Sequence, residues 1–596
     1  MKIIIDFKYP ASSLIKTSNR NSAHWETIYR IIKDVFPVND ERQDTLLMSW
    51  HVFLNLKNDL ANLAKIYNFE IILTDEAKRQ LQLNSKSSYS TAIKQAPTDE
   101  ATIIKRLKDK GFKRSLTPQQ LRNISKLTSF PAAATFSVPG AGKTTEALAY
   151  YFFYANDDDK LLVVAPKNAF PAWDEQLTEC SDIDDKFQRL TGGYDNIRNI
   201  LKYNPRFTII AYKQFSLITD LMIEYLSSSS VFMFLDESHR IKGGVGKKTV
   251  DPILKLSFLP TKKLIMSGTP MPQSDTDLDS QIRFLYPELD LRNKPAVDLI
   301  QPIYVRTTKS ELNLPPTYKK FIYVSLTASQ REFYSLLKSE TARQLKGISR
   351  FSRANLRKIG KSIIKLMQFV SNPALLAQDV ANAFSNELSQ ILIDGGSIKV
   401  DYACRRARQL AQNGEKSIIW TSFVKNVELI AMRLEDIGAD YIHGGVDAGD
   451  DTEADTREFK IKKFHDDENA MVLVANPAAA SEGISLHKVC HTAIYVDRSF
   501  NAAHFLQSVD RIHRIGLLPD TKTNIEIIEC KNTIDEIINE RLINKVARMA
   551  EILNDNSLKI NADEYAYEDD DELSAMGIEE KDADAIITHL SGDIND

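Results

Sequence analysis

The run Thr135–Thr145 (TFSVPGAGKTT) sets Gly140, Ala141, Gly142, Lys143, Thr144 and Thr145 between an apolar segment, Ala132–Val138, and helical periodicity from Ala147 onward. Glycines let successive backbone N–H groups curl around oxyanions, and a helix N-terminus adds partial positive charge. Lys143 would reach β- and γ-phosphates, and the Thr144 hydroxyl would hold Mg²⁺. The full phosphate-loop pattern has a glycine at position 137, where this chain has Ser137. The competing reading is an ordinary glycine-rich strand–helix turn. About ninety residues on, Asp236-Glu237-Ser238-His239 directly follows Val231–Leu235. Asp236 can hold Mg²⁺ through water, and Glu237 can orient and deprotonate an attacking water. A polar helix start favours acidic residues as well. Ser267-Gly268-Thr269-Pro270 follows another apolar run. Its hydroxyls can hydrogen-bond to the carboxylate loop and report a γ-phosphate, or form a plain turn. In Gln507–Gly516 (QSVDRIHRIG), Arg511 and Arg514 are three apart, which predicts one shared helical face. An arginine supplied across a cleft neutralises charge on a transferring phosphoryl group, worth roughly 10³–10⁵ in rate; the alternative is a basic surface helix. In Leu116–Leu121 (LTPQQL), Gln120 can read an adenine edge because an amide both donates and accepts, or it is solvated surface.

Such groups need strands to present them. Lys160–Pro166, Phe207–Ala211, Val231–Leu235 and Lys263–Met266 are continuous apolar runs of the buried parallel type, separated by helical stretches. That alternation predicts an α/β fold with a doubly wound parallel sheet and ligands at the strands' carboxyl ends, where each motif falls. A second series, Ser417–Trp420, Met471–Asn476 and Ala493–Asp497, predicts a second sheet. Ahead of the first, Lys2–Phe7 reads as a strand and Trp25–Phe36 and Leu46–Tyr67 as helices. The polar, serine-rich Asn84–Glu100 reads as a linker.

A chain of 596 residues is too long for one core. Hydrophobic content of 43% and charged content of 26% describe an ordinary soluble protein. No apolar run approaches the roughly 18 residues needed to span a bilayer, and Asp6 interrupts any signal-peptide core. Cys180, Cys404, Cys490 and Cys530 are far apart and form no CxxC pair, which argues against a zinc knuckle or disulfide framework and fits a reducing cytoplasm. The formal net charge is −4, but residues after 554 carry fourteen acids against two lysines, leaving +8 on the preceding body. A basic body with an acidic tail is compatible with a polyanionic ligand.

DESHRIKG with SGTP, and Val164-Ala165-Pro166 leading to Ala172-Trp173, resemble superfamily 2 helicase ATPases, within these the Swi/Snf-like group of double-stranded DNA translocases. Tyr304–Glu311 with Leu314-Pro315-Pro316, Leu326-Thr327 with Gln330 and Tyr334, Leu366–Pro373, Thr421-Ser422-Phe423, His443-Gly444-Gly445, Ser481–Leu486 and QSVDRIHRIG extend the resemblance over roughly residues 116 to 542. It implies two RecA-like lobes, an ATP-binding lobe over 96–305 and a C-terminal lobe with a basic helical insertion over 306–553; the first region, 1–95, is expected to be a small N-terminal accessory domain, and 554–596 an acidic tail. It implies ATP and Mg²⁺ as ligands, Arg511 and Arg514 as fingers, Gln507 near the nucleotide, and His239, Ser267, Thr269 and Gly483 as coupling residues. Helicase-type loops often relax the glycine at position 137. The sequence departs from the family pattern at Gln273, Ala480-Ser481 and Leu517.

No acidic residue occurs between Thr341 and Gln378, while basic residues recur at helical spacing; Arg350, Arg353, Arg357, Lys358 and Lys361 are candidates for tracking phosphates, or for a solvated face. The expectation is a monomeric, sequence-independent translocase on double-stranded DNA in a bacterial or virus-infected cytoplasm, closing two lobes on one ATP. Protein partners are expected through the first region, and no membrane. The rivals are a strand-separating or annealing helicase on DNA forks or RNA, and a non-catalytic scaffold. The tail is read as an autoinhibitor or as a solubilising segment.

Overall fold

Alternate burial along Lys2–Lys8, with Ile3, Ile5 and Phe7 inside, makes it the first strand of a sheet that the sequence shows only in part. The computed structural model describes residues 1–8, 12–18, 22–35, 44–86, 88–183, 185–241, 251–272, 274–292, 294–345, 353–376, 391, 396–447, 455–480, 485–555 and 558. The chain divides into two compact units, Met1–Thr307 and Thr308–Asp596. Strands β1 (Lys2–Lys8), β2 (Ser12–Thr17), β3 (Thr45–Ser49) and β4 (Glu70–Leu73) form a sheet in the order β3-β2-β1-β4, antiparallel except for β1 with β4. Trp25, Ile28 and Ile32 from the helix Ala23–Val35, and Trp50, Phe53 and Leu60 from the helix Trp50–Tyr67, share its core. The predicted helix over Leu46–Tyr67 therefore loses its first residues to β3. Apolar residues continue from β3 (Leu46–Met48) into the helix (Trp50, Val52–Leu54, Leu56), and periodicity alone does not separate a buried strand from the helix that follows.

The segment predicted as a linker is docked. Tyr89, in the short helix Tyr89–Ala92, donates its hydroxyl to Leu299 O at 2.8 Å and packs edge-on to Tyr286. Ser129 Oγ donates to Ala96 O at 2.9 Å. The N-terminal core also takes in Phe258, edge-on to Phe7, while Asn55 Nδ2 donates to Pro287 O at 2.7 Å. The first region is thus fastened to the domain that follows it.

That domain is built on β5 (Ala132–Thr135), β6 (Lys160–Val164), β7 (Gln188–Arg189), β8 (Phe207–Ile210), β9 (Val231–Asp236), β10 (Lys262–Met266) and β11 (Tyr304–Val305). Their order is β11-β5-β10-β9-β6-β8-β7 and every pairing is parallel. β5, β6, β8 and β9 are buried at every residue, as continuous apolar runs demand of a sheet covered on both faces. Met266 pairs with Thr135 on one side and Asp236 on the other, so β5, β9 and β10 end at one level.

The second unit repeats the design with β12 (Thr317–Val324), β13 (Lys416–Trp420), β14 (Asp440–Ile442), β15 (Val472–Ala475), β16 (Cys490–Tyr495) and β17 (Thr523–Cys530). The order is β12-β17-β16-β13-β15-β14, again all parallel. Ile418, Leu473, Ala493 and Ile527 belong to one core, and their neighbours Ile419, Val474, Ile494 and Ile528 to another, so both faces are covered. Each unit is thus built on a parallel sheet covered on both faces, the doubly wound α/β architecture that the alternating pattern predicts. The second sheet was expected to start at Ser417; β12, at its edge, precedes that by a hundred residues. No helix among the described residues is long and apolar enough to cross a membrane.

Asp497, just past β16, gathers three segments of this unit. Its Oδ2 accepts from Ser371 Oγ at 2.5 Å and Thr421 Oγ1 at 2.6 Å, and its Oδ1 accepts from Ser422 N at 2.7 Å. Asn426 Nδ2 adds a bond to Ser371 Oγ at 2.9 Å. Removing the carboxylate leaves buried donors unsatisfied, at about 1–3 kcal/mol for each such group. Asp497→Ala is expected to lower the midpoint of chemical unfolding of the second unit markedly, with Asp497→Asn intermediate; an unchanged midpoint would show that these bonds are dispensable.

Candidate functional site

β5 delivers the chain into a loop whose backbone only glycine accommodates without strain at two points: Gly140 has φ +86° and Gly142 φ +85°. A Cβ on Gly142 would also lie 2.2 Å from Gln120 Nε2. Gly142 is the N-cap of the helix Lys143–Tyr154 and brings no capping side chain, so the first-turn amides remain for an anion. Ala141 N donates to Val138 O at 3.1 Å, and Lys143 Nζ donates to Ser137 O at 3.0 Å. Thr144 is half-buried at the same turn. The Thr145 hydroxyl does not face the loop: it is buried and donates to Gln176 Oε1 at 2.8 Å, which leaves the residue's backbone N–H for a phosphate. Gln120 sits over the loop. It forms a capping box with Thr117, and its Nε2 donates to Ala141 O at 3.4 Å.

The carboxylates lie two strands away. Asp236 closes β9; its Oδ2 accepts from Trp173 Nε1 at 2.9 Å and its Oδ1 from the Glu237 amide at 3.0 Å. Trp173 is fully buried, so the motif tryptophan acts by fixing this carboxylate. Glu237 holds φ +51°, an uncommon backbone state for a residue with a side chain, and such positions concentrate at functional sites. Its Oε2 lies 3.3 Å from His239 Nδ1, which lies 3.0 Å from Ser267 Oγ, which accepts from Thr269 N at 3.1 Å. The carboxylate loop and the SGTP turn are therefore one connected chain. The turn also reaches the phosphate loop: a Cβ on Gly268 would lie 2.9 Å from Pro139 Cδ, and Arg306 donates to both Phe136 O and Gly268 O.

In the second unit, the helix Ala502–Ile512 carries Gln507 and Arg511, both buried. Arg511 Nε donates to Gln507 O at 2.9 Å, and its carbonyl accepts from Leu486 N at 2.8 Å. Arg514 lies beyond the helix end, which corrects the expected common helical face. His513 is anchored instead, with Nε2 2.6 Å from Pro315 O, and Gly516 at φ +105° turns the chain against His487. Arg514 is the more exposed arginine. Asp510 is buried against Lys309 in an ion pair that no sequence spacing indicates.

Gly483, Arg350, Gln273 and Ser481 lie outside the described residues, as does nearly all of the acidic tail. Arg353, Arg357 and Lys358 fall on the helix Arg353–Ser371, in its first turns, where side chains are likewise outside the description. Farther along, Lys361 and Lys365 are exposed four residues apart, while Ile363, Ile364 and Met367 are buried. Arg343 is drawn to Glu340 at 2.7 Å.

Sequence reasoning missed Glu146 altogether. It is fully buried behind the loop, and burial pushes its carboxyl up to about 7, against the opposing pull of hydrogen bonds from Thr135 and Asn123 and the charges of Lys143 and Arg122. The only hint in the sequence was Ser137, out of pattern beside it.

Residues 136–294 match the SNF2-related domain family, and residues 399–516 match the helicase conserved C-terminal domain family. Protein CHROMATIN REMODELING 4 of Arabidopsis thaliana is 23% identical over 310 residues, covering 48% of this chain and 13% of that protein. The mouse (Mus musculus) SWI/SNF-related matrix-associated actin-dependent regulator of chromatin subfamily A member 1 is 24% identical over 334 residues, covering 52% and 30%. ATP-dependent helicase FUN30 of Saccharomyces cerevisiae is 21% identical over 476 residues, covering 64% and 40%. The chain thus spans less than half the length of these relatives. Among solved structures, a Sulfolobus solfataricus SWI2/SNF2 ATPase core in complex with dsDNA is similar at 20% identity and a TM-score of 0.33, over 76% of this chain and 95% of that one. The Pyrococcus furiosus Hef helicase domain is similar at 15% identity and a TM-score of 0.46, over 70% and 96%.

Two outcomes are expected at this site. Gly142→Ala adds a strained left-handed residue, about 1–2 kcal/mol, as well as the overlap with Gln120, and should abolish nucleotide binding measured by fluorescent-analogue titration. Between pH 4.5 and 7 the folded chain holds a Glu146 proton that the unfolded chain releases, so stability falls as pH rises through that window. Glu146→Gln should flatten that fall; equal melting-temperature profiles for variant and wild type between pH 5 and 8 would refute the assignment.

Proposed function

For a chain that belongs to the Swi/Snf-like ATPases of helicase superfamily 2, we propose ATP-driven translocation along double-stranded DNA. The carrying observation is the order of the two matched families along one polypeptide: the SNF2-related segment holds the GAGKT loop and the carboxylates, and the helicase C-terminal segment holds Gln507, Arg511 and Arg514. The loop amides of Gly140–Thr144 and Lys143 bind the phosphates, and Gln120, already seated over the loop, selects the adenine. Among the described residues no group of three or more His, Cys, Asp or Glu could hold a metal by itself. The oxygen donors Thr144 and Asp236 fit Mg²⁺, which keeps several waters and relies on substrate phosphates, and which when bound neutralises developing phosphate charge. Glu237 orients the attacking water. His239, Ser267, Thr269 and Gly483 relay the state of the γ-phosphate.

Arg511 and Arg514 offset charge on the transferring phosphoryl group, and ATP, as a ligand with differential affinity for two conformations, drives a cycle that its hydrolysis resets. Alternating grip on phosphates converts that cycle into movement. Contacts along Arg350, Arg353, Arg357, Lys358 and Lys361 are to backbone and therefore independent of sequence. The relatives' names speak of chromatin remodelling and of an ATP-dependent helicase, which supports an ATP-dependent activity directed at DNA.

Lys143→Ala and Glu237→Gln should each abolish ATP turnover while leaving duplex affinity within a few-fold. Arg511→Ala should lower kcat by roughly 10³ or more; unaltered turnover in any of the three removes that residue from the scheme. Turnover should rise with duplex DNA more than with single strands or RNA, and the reverse ranking would favour strand separation. If the five basic residues of the track contact phosphates, the log–log salt slope of duplex binding should approach about −4.5.

A further inference from the structure

Behind the phosphate loop lies a buried polar cluster that none of the roles above uses. Asn123, Thr135, Ser137, Glu146 and Thr307 are each at most 1% exposed. Glu146 Oε1 accepts from Asn123 Nδ2 at 2.7 Å, and Oε2 accepts from Thr135 Oγ1 at 2.7 Å. The Asn123 amide also donates to Thr307 Oγ1 at 3.0 Å. Ser137 Oγ lies 3.2 Å from Thr135 Oγ1 and accepts the Thr307 N–H at 3.0 Å. Backbone bonds run alongside: Phe136 N to Val305 O at 2.8 Å and Val138 N to Thr307 O at 3.0 Å.

The five side chains come from the helix Pro118–Leu127 that carries Gln120, from β5 and its loop, from the helix Lys143–Tyr154, and from the segment after β11. Thr307 is the last residue of the first unit. A buried carboxyl with its hydrogen bonds is a costly way to fill space, since apolar residues of similar volume commonly serve stability as well or better. What the cluster adds is direction: it aims the Ser137 hydroxyl at one particular amide.

We propose that this cluster is the joint through which occupancy of the phosphate loop sets the backbone of residues 305–308, the segment leading out to the second unit, with Glu146 as the positioning residue that locks Asn123 and Thr135 around Ser137. The proposal rests on reading GAGKT as a triphosphate loop. Ser137 is held from two directions, its carbonyl by Lys143 Nζ and its hydroxyl by the Thr307 amide. Lys143 is the group that phosphates attract, so occupancy releases the Ser137 carbonyl while the hydroxyl stays tied to Thr307. A glycine at 137 would serve the loop equally well and leave out the tie, which accounts for the serine.

The test is hydrogen–deuterium exchange on the full chain, with and without a non-hydrolysable ATP analogue and Mg²⁺. In the wild type the analogue should slow exchange over 138–146 and change it at least fivefold over 304–308. In Ser137→Gly the first response should persist and the second disappear. Glu146→Gln, which can still accept from Asn123 and pair with Thr135, should keep the second response within twofold of wild type. Glu146→Leu, filling the space without hydrogen bonds, should lose it. Equal responses over 304–308 in wild type and Ser137→Gly overturn the joint even if Glu146→Leu fails to fold. A wild-type response over 138–146 with none over 304–308 overturns the joint alone. No response over 138–146 overturns the nucleotide reading and the joint together.

Discussion

Hydrogen bonding of β10 to β5 on one side and β9 on the other is the constraint on which the chemistry of the first unit depends. With Met266 level with both Thr135 and Asp236, the loops that follow the three strands leave the sheet at the same height. A parallel sheet presents the ends of its strands to one edge, and ligands collect there. Gly268 against Pro139, and the run Glu237–His239–Ser267–Thr269, are direct results of that alignment. A one-residue slip of β10 would turn its side chains to the opposite faces and separate the turn from both neighbours.

The second unit answers the same demand with a different device. Its loops are gathered by the single carboxylate of Asp497, which receives two hydroxyls and one amide. Where the first unit relies on close backbone approach at glycines, the second relies on a buried charge satisfied by three donors. Both hold irregular segments in one conformation, the first through residues of the motifs themselves and the second through Asp497, which lies outside them.

Legibility in the sequence followed burial. Continuous apolar runs such as KLLVV and VFMFL announce strands covered on both faces, and the motifs at their ends were placed correctly on loops. Failures came where one signal was overwritten by another. β3 vanished into the apolar helix after it. Asn84–Glu100 looked like solvent-facing linker because Tyr89 is one aromatic among serines, yet that ring is buried. Arg514 was assigned to a helix because three-residue spacing reads the same whether or not the helix continues, and nothing local reveals that His513 is pinned to a distant carbonyl. Glu146 and Asn123 were invisible for a related reason: polar residues in the first two turns of a helix are ordinary, and only the fold shows that these face inward.

Phe258 belongs by chain position to the nucleotide-binding domain and by packing to the core of the N-terminal sheet, where it meets Phe7, while Pro287 offers its carbonyl to Asn55. The two modules are consequently coupled in stability. Exchanging the front of the chain at the seam near residue 96 without a matching change at position 258 would leave an aromatic ring facing water on one side and a hollow on the other.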